Sequence, residues 1–277
     1  MRVWVGDALL DDPGTPAISV LDHGLTVGDG VFETVKAVHG RPFALTRHLN
    51  RLSSSAKGLG LPQPDHDLVR TAVSTVLAEV RDPLVRIRIT WTAGPAPLGS
   101  DRGDPADYAG PTLVVAVSDG VSRADSVAVA TVPWPRNERG AVAGLKTTSY
   151  AENVVALADA HRRGASEAVF ANTRGVLCEG TGSNIFYVLD GQVVTPTLSS
   201  GCLAGVTRAL VIQWCDVVES DGPMEVLQQA DEVFLAGTTR DVQPVHRVDE
   251  RDLGAAGPLT QQVVETFARR AAENEDP

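Results

Sequence analysis

The sequence is short of positive charge. It has 24 lysines and arginines against 35 aspartates and glutamates, which gives a formal net charge of -11 and a pI near 5.0. Such a chain repels phosphodiester backbones, and no run of lysine or arginine is dense enough to make a local exception. We therefore expect no nucleic-acid partner.

Long apolar runs are missing as well. The N-terminus reaches Asp7 before any stretch long enough for a signal peptide, and no later stretch approaches the length that spans a membrane. The composition, 43% hydrophobic and 21% charged, is that of a globular protein without repeats or low-complexity tracts. We expect a soluble, cytoplasmic protein that does not bind membranes.

Cysteine is rare and odd in number. Cys178, Cys202 and Cys215 form no C-x-x-C pair, and no histidine lies at zinc-ligand spacing from them. We interpret all three as reduced, mostly buried thiols and predict no metal site.

Apolar alternation and the positions of glycine and proline predict a mixed α/β (α+β) protein. The length of 277 residues favours two domains. The polar stretch 119–125, with Gly120, is the predicted boundary between an N-terminal α/β domain (1–119) and a C-terminal domain (120–277). Thr46 and either Asp65 or Asp67 are predicted to cap two helices of the first domain. Further helices are predicted near 150–163, 206–214 and 259–272, and strands near 3–5, 31–38, 85–90, 112–117, 127–132, 168–171, 184–189 and 232–236.

Lysine offers few candidates for an amine nucleophile, because only Lys36, Lys57 and Lys146 are present. Lys57 has the context of a solvated helix residue. Lys146 is followed by a run of hydroxyl residues, Thr147 to Tyr150, that can hydrogen-bond a ligand or cap the next helix. A lysine that attacks a carbonyl needs such an anchored, partly desolvated position.

The glycine string at 28–30 has two readings. A dinucleotide loop would need a third glycine, a preceding strand and a following helix, and these are not evident. A turn before a strand fits better, and the alternate residues Phe32 and Thr34 of that strand would then face a common site.

Eight blocks of the chain resemble, in order and spacing, the class IV aminotransferases, which are fold-type IV pyridoxal-phosphate (PLP) enzymes. The resemblance implies PLP as cofactor, a homodimer, and a two-domain fold with a smaller N-terminal domain and a larger, barrel-like, PLP-binding C-terminal domain. The blocks are 22–24 (DHG), 28–34 (GDGVFET), 47–52 (RHLNRL), 145–150 (LKTTSY), 178–186 (CEGTGSNIF), 205–208 (GVTR), 230–234 (ADEVF) and 237–242 (GTTRDV).

The resemblance also implies roles for single residues. Lys146 matches the lysine that binds the cofactor covalently, and Glu179 matches the acid that faces the pyridine nitrogen, although a surface carboxylate is the alternative for Glu179. The remaining cofactor contacts that the resemblance implies are Val206 and Thr207 at a helix start and Thr238 and Thr239 in a turn, all for the phosphate, Arg47 as its cation, and Tyr150 near the ring, where a packing role is equally open.

The family contains branched-chain and D-amino-acid transaminases and 4-amino-4-deoxychorismate lyases, which act on small-molecule amines and carboxylates. Thr34 resembles a residue characteristic of the lyases, and the stretch 88–99 also resembles lyases, so the lyase is the first expectation. The stretch 237–239 instead resembles branched-chain transaminases, which keeps a transaminase as the alternative. Lys146 and Thr34 are therefore the predicted catalytic residues. Phe32, Arg88 and Arg240 are predicted to bind substrate, with a salt bridge as the alternative for each arginine.

Overall fold

The computed structural model describes residues 1–104, 106 and 108–277. Contacts divide the chain into two units, which are described separately. Unit 1 consists of Met1–Ser122, Leu145–Ser149 and Glu275–Pro277, and unit 2 of Arg123–Gly144 and Tyr150–Asn274. Unit 1 therefore contains segments that are distant in sequence, whereas unit 2 is interrupted only by residues 145–149. The division into domains 1–119 and 120–277 remains a prediction.

Unit 1 is built on an antiparallel sheet of six strands in the order β2-β1-β6-β5-β3-β4. Its longest strands, β3 and β5, pair along their whole lengths from Gly30 opposite Thr92 to Val38 opposite Leu84. The strands are β1 (Arg2–Val5), β2 (Ala8–Leu9), β3 (Gly30–Val38), β4 (Arg41–Pro42), β5 (Leu84–Thr92) and β6 (Thr112–Gly120), and the helices are α1 (His23–Thr26), α2 (Leu45–Gly58) and α3 (His66–Leu77).

Alternation in β3 and β5 separates an apolar side from a polar side. Val35, Ile87 and Ile89 are fully buried in one core with Leu49 and Leu52 of α2. Their even-numbered neighbours point to the opposite side of the sheet. The prediction that both arginines of β5 share one face is therefore confirmed.

Two helix starts show what local sequence can and cannot specify. Asp65 caps α3 as predicted, because its side chain accepts from the backbone N–H groups of Asp67 and Leu68. Thr46 is not the cap of α2, so that prediction is wrong. Ala44 occupies the cap position in a left-handed conformation, and the N–H of Thr46 donates to Asp276 from the far end of the chain (2.9 Å).

Unit 2 is built on a nine-stranded mixed sheet whose path runs β12-β11-β10-β13-β14-β7-β8-β9, with β15 beside β14. β7 pairs in parallel with both β14 and β8, which confirms the mixed α/β class. The strands are β7 (Val127–Thr131), β8 (Glu167–Ala171), β9 (Leu177–Gly180), β10 (Asn184–Leu189), β11 (Gln192–Thr195), β12 (Val218–Glu219), β13 (Glu232–Gly237), β14 (Asp241–Val248) and β15 (Arg251–Asp252), and the helices are α4 (Ala151–Arg162), α5 (Val206–Trp214) and α6 (Pro258–Glu273).

The core of unit 2 joins aromatic and small side chains. The fully buried rings of Phe186 and Phe234 stack with their centroids 4.8 Å apart. The three cysteines are free thiols, and two of them, Cys178 and Cys202, are buried, in agreement with the prediction. Burial raises the pKa of both thiols, which keeps them protonated. Among the described residues no helix is long and apolar enough to cross a membrane.

Candidate active site

The backbone of the segment Leu145–Ser149 is bonded to the start of β3. The N–H of Phe32 donates to the carbonyl of Lys146 (2.9 Å), and the N–H of Thr148 donates to the carbonyl of Gly30 (2.8 Å). The hydroxyl of Thr148 also donates to the carbonyl of Gly28 (2.8 Å). The turn 28–30 thus holds the lysine segment by hydrogen bonds. Because β3 begins at Gly30, the interpretation of this glycine string as a turn before a strand is confirmed.

The C-terminal half of α2 contacts the other side of this segment. The N–H of Lys146 donates to the hydroxyl of Ser55 (3.1 Å). Gly58 allows the side chain of Leu145 to approach closely, because a β-carbon at this glycine would lie 2.5 Å from Leu145 Cδ2. The backbone around Lys146 is therefore held on two sides, by the start of β3 and by α2.

The amine of Lys146 shares the ring of Phe32 with the guanidinium of Arg88, and both Phe32 and Arg88 are predicted site residues. Its Nζ is 4.5 Å from the centroid of the Phe32 ring, and the guanidinium carbon of Arg88 is 3.2 Å from the same centroid. Thr34 is the direct partner of Arg88 in the β3–β5 ladder. An aromatic face attracts cations, so Phe32 holds both positive groups at one place.

A buried ionic cluster on the core side of β3 was not predicted. The carboxylate of Glu33 accepts two hydrogen bonds from Arg51, both 2.7 Å long, and contacts Nδ1 of His48 at 2.7 Å. Although burial raises the pKa of Glu33, the charge and hydrogen bonds of Arg51, and then of His48, lower it to about 2. An ionised carboxylate only accepts, so Nδ1 carries the hydrogen.

The sequence did contain a signal for this cluster. Glu33 occupies a core-side position in an alternating strand, and a buried carboxylate needs a partner. His48 and Arg51 lie three residues apart on α2, the spacing of neighbours on one helix face. Burial lowers the pKa of His48, and the opposing attraction of Glu33 does not reverse this shift.

The two arginines of α2 have different surroundings. Arg47, the predicted phosphate cation, donates from Nε to the carbonyl of Pro277 (2.6 Å). Arg51 is held in the cluster with His48, and Lys146 is close enough to His48 to affect its pKa. Arg51 is therefore the better-placed cation for an anionic group near Lys146, and the role of Arg47 remains a prediction.

Glu33 is expected to make the stability of the fold depend on pH. Its pKa falls on folding from 4.5 to about 2, so the unfolded chain binds a proton that the folded chain does not. Its contribution is complete above its unfolded pKa and is lost as the pH falls towards 2, a loss of about 3 kcal/mol. His48 acts in the same direction from higher pH, because its pKa is also lowered.

The measurement is the free energy of unfolding in urea at several pH values between about 6 and about 3. Glu33→Gln should be less stable than the native protein at neutral pH and should show a flatter decline in acid. An equally steep decline in the variant would assign the acid sensitivity to other groups.

In unit 2, Glu179 lies on β9, and its carboxylate accepts a hydrogen bond and forms an ion pair. Oε2 accepts from the N–H of Leu203 (2.9 Å), and Oε1 lies 3.4 Å from Nε of Arg136. The guanidinium of Arg136 also packs over the Phe170 ring at 4.2 Å. Arg136 thus places a positive charge beside the carboxylate of Glu179. No local pattern identified this arginine in advance, because it is 43 residues away in sequence.

The start of α5 is a backbone feature of unit 2 that suits an anion. α5 begins with the buried residues Val206 and Thr207, and the first N–H groups of a helix have no acceptor within it. Gly205 allows this start to approach Asn184, since a β-carbon at this glycine would lie 1.9 Å from Asn184 Oδ1.

Thr238 and Thr239 lie half-buried in the tight turn after β13, where the N–H of Arg240 donates to the carbonyl of Gly237 (3.0 Å). The side chain of Arg240 is engaged locally. It lies 3.4 Å from the carboxylate of the buried Glu167 and donates to Gln243 (2.5 Å). A substrate carboxylate would compete with these contacts. Tyr150 is the half-buried residue immediately before α4.

The donor set of these residues fits PLP. In unit 1, the amine of Lys146 has the chemistry that the PLP aldehyde needs, and Arg51 that of a phosphate cation. In unit 2, the carboxylate of Glu179 would suit the pyridine nitrogen, and the start of α5 and the turn 237–240 would suit the phosphate. Each group of the cofactor thus has a residue of matching chemistry.

Comparison with known proteins identifies the family. The family model described as amino-transferase class IV matches residues 30–248. A Methanocaldococcus jannaschii protein named "Putative branched-chain-amino-acid aminotransferase" is 31% identical, over 96% of this chain and 95% of its own. The Escherichia coli branched-chain amino acid aminotransferase structure matches with a TM-score of 0.87 at 26% identity, covering 97% of this chain and 93% of that one.

A hypothetical aminotransferase from Mycobacterium tuberculosis, in its PLP-bound form, matches with a TM-score of 0.86 at 27% identity, covering 100% of both chains. The resemblance that the sequence blocks indicated is thereby confirmed. The chain belongs to the class IV aminotransferases, a family of PLP-dependent enzymes.

Proposed function

We propose that this class IV enzyme is a 4-amino-4-deoxychorismate lyase, which forms 4-aminobenzoate and pyruvate by β-elimination. The observation that carries the proposal is the guanidinium of Arg88, 3.2 Å from the Phe32 ring centroid and on the same ring as the amine of Lys146. This substrate has two carboxylates, one on the ring and one on the enolpyruvyl arm. A pocket for it benefits from cations, whereas an aliphatic amino acid needs a mainly apolar pocket.

The face of the sheet that carries Phe32 supports a charged substrate. Arg86 and Arg88 lie on β5 opposite Lys36 and Thr34 of β3. The side chain of Lys36 is buried and packs over the Phe43 ring at 4.5 Å. Two cations, Arg88 and Lys36, and the hydroxyl of Thr34 therefore line the less exposed part of this face, whereas Arg86 is exposed to solvent. Branched aliphatic side chains are absent from these four positions.

Bound PLP supplies an electron sink for the carbon next to the substrate nitrogen. In the proposal, Lys146 holds the cofactor and moves the proton at that carbon, and the Thr34 hydroxyl hydrogen-bonds the substrate beside Arg88. Glu179 keeps the pyridine nitrogen protonated. Val206, Thr207, Thr238, Thr239 and a cation of α2 bind the phosphate. The homodimer implied by the family belongs to the same proposal, and light scattering on the purified protein would test it.

A branched-chain aminotransferase is the second candidate. It is favoured by the names of the relatives, because the proteins from Methanocaldococcus jannaschii and Escherichia coli both carry that activity in theirs. It would transfer the amino group to a 2-oxo acid and release neither 4-aminobenzoate nor pyruvate from aminodeoxychorismate.

One experiment separates the candidates. Purified protein is incubated with aminodeoxychorismate, and separately with branched-chain or D-amino acids plus 2-oxoglutarate. The lyase predicts equal amounts of 4-aminobenzoate and pyruvate in the first tube. Absence of both products, together with rapid amino transfer in the other tubes, would reject the lyase in favour of a transaminase.

Arg88→Ala is expected to lower 4-aminobenzoate formation by roughly a hundredfold while PLP stays bound, because a lost charge-assisted contact is worth a few kcal/mol. Arg86→Ala is the matched control, since Arg86 is on the same strand and face but exposed. The visible spectrum of the bound cofactor and the rate of product formation are measured for both variants. Equal losses in the two variants would remove Arg88 from the substrate site.

A further inference from the structure

We propose that Arg102 is a positioning residue that clamps together the two walls of the slot holding Lys146. The slot is defined here as the space occupied by Leu145–Ser149 between the turn 28–30 and the C-terminal half of α2. This inference rests on the proposed role of Lys146 as the cofactor lysine.

The walls contact the lysine segment by different means. The turn accepts two hydrogen bonds from Thr148. The N–H of Thr148 donates to the Gly30 carbonyl (2.8 Å), and its hydroxyl donates to the Gly28 carbonyl (2.8 Å). The helix holds it through Ser55, which accepts from the N–H of Lys146, and through Gly58, against which Leu145 packs. A change in the separation of the walls would weaken one set of contacts.

The guanidinium of Arg102 is bonded to both walls. On the turn, Nε and Nη2 donate to the two carboxylate oxygens of Asp29, each at 2.7 Å. At the end of α2, Nη1 donates to the carbonyl of Gly60 and Nη2 to that of Leu59, each at 2.9 Å. The planar fork of an arginine can serve these acceptors together, and a lysine ammonium cannot match that geometry.

Asp29, which Arg102 holds, is itself hydrogen-bonded through its backbone and directly precedes β3. Its N–H donates to the carbonyl of His23, and its carbonyl accepts from the N–H of Ala93 (2.9 Å). The next residue, Gly30, is the acceptor for Thr148. The hydrogen bonds to Asp29 raise the pKa of the Arg102 guanidinium, so the guanidinium stays charged.

The test uses Arg102→Gln and Arg102→Lys in the PLP-loaded enzyme. Arg2→Gln is the matched control, because Arg2 also joins two elements of unit 1, pairing with Glu79 and with the carbonyl of Thr75, but touches neither wall. Hydrogen exchange of residues 145–149 is measured by mass spectrometry, together with the melting temperature. The visible absorbance of the lysine-bound cofactor is titrated with pH.

We expect exchange in residues 145–149 to become about tenfold faster in Arg102→Gln, because local opening becomes easier there, with a smaller change in Arg102→Lys. The midpoint of the visible titration should shift in the same order. Arg2→Gln should leave both readouts unchanged even if its melting temperature falls.

Native exchange in 145–149 in Arg102→Gln would overturn the clamp, as would equal acceleration throughout unit 1 in the Gln variant and the control. If Arg102→Gln does not fold, native exchange and titration in Arg102→Lys overturn it. Faster exchange combined with a cofactor attached to another lysine would leave the local contact intact but overturn the proposed purpose of the slot. Labelling of the lysine therefore separates failure of this inference from failure of the proposed function.

Discussion

Lys146→Ala is expected to abolish both turnover and the visible absorbance of lysine-bound cofactor. The amine is the group that reaches the Phe32 ring beside Arg88, and its backbone is fixed by the turn 28–30 and by Ser55. Alanine keeps the backbone contacts but has no amine to attack a carbonyl. Borohydride reduction of the native enzyme, followed by peptide mass analysis, should place the label on the peptide that contains Lys146.

The control for this experiment is Lys57→Ala, which removes an exposed amine from the same helix that supplies Ser55. It should retain full absorbance and turnover. A borohydride label on Lys36 or Lys57 would show that the assignment of the cofactor lysine is wrong. Of these two, Lys36 is the stronger alternative for the cofactor lysine, because its side chain is buried and it lies on the same strand as Phe32.

Glu179→Gln is expected to retain the cofactor and lose most of the activity, by roughly a hundredfold or more. The carboxylate is oriented by the N–H of Leu203 and lies beside the guanidinium of Arg136. A neutral amide cannot keep a pyridine nitrogen protonated. The measurements are kcat and the amount of PLP bound per chain.

Glu138→Gln is a matched control in the same unit. Glu138 also accepts from a backbone N–H, that of Thr173 (3.1 Å), and also lies near an arginine, Arg174 (3.5 Å). Its amide variant should keep native turnover. If Glu179→Gln turns over at the native rate, Glu179 has no part in the reaction.

Secondary structure was largely predictable where one periodicity governed a segment. The apolar stripes of the C-terminal half predicted helices near 206–214 and 259–272, and the structure has Val206–Trp214 and Pro258–Glu273. The alternation of β5 predicted which arginines share a face. β9, β11 and β14 were among the strands missed, although each pairs with the strand directly before it in the chain. β9 and β11 have only four residues each, too few for an alternation to stand out, and Pro244 lies within β14, where a proline argues against a strand.

The candidate site was predictable only in part. Motif blocks selected Lys146, Phe32 and Thr34, and Arg88 was predicted as a cation for a substrate carboxylate. In the structure Lys146 and Arg88 contact the Phe32 ring, and Thr34 pairs with Arg88. The different surroundings of the two arginines on α2 were harder to predict. Arg47 and Arg51 have the same helical context, and only the position of Glu33 in the core, together with the C-terminal residues beside Arg47, separates them. A long-range contact of this kind also involves Thr46, whose N–H donates to Asp276 and which is not the predicted cap of α2.

The chain order of unit 1 has a consequence for the synthesis of the protein. The strands and helices of its first 122 residues leave the ribosome long before Leu145–Ser149 and Glu275–Pro277, which belong to the same unit. The nascent N-terminal part of unit 1 therefore lacks the segment that fills the lysine slot until residues 145–149 have been translated.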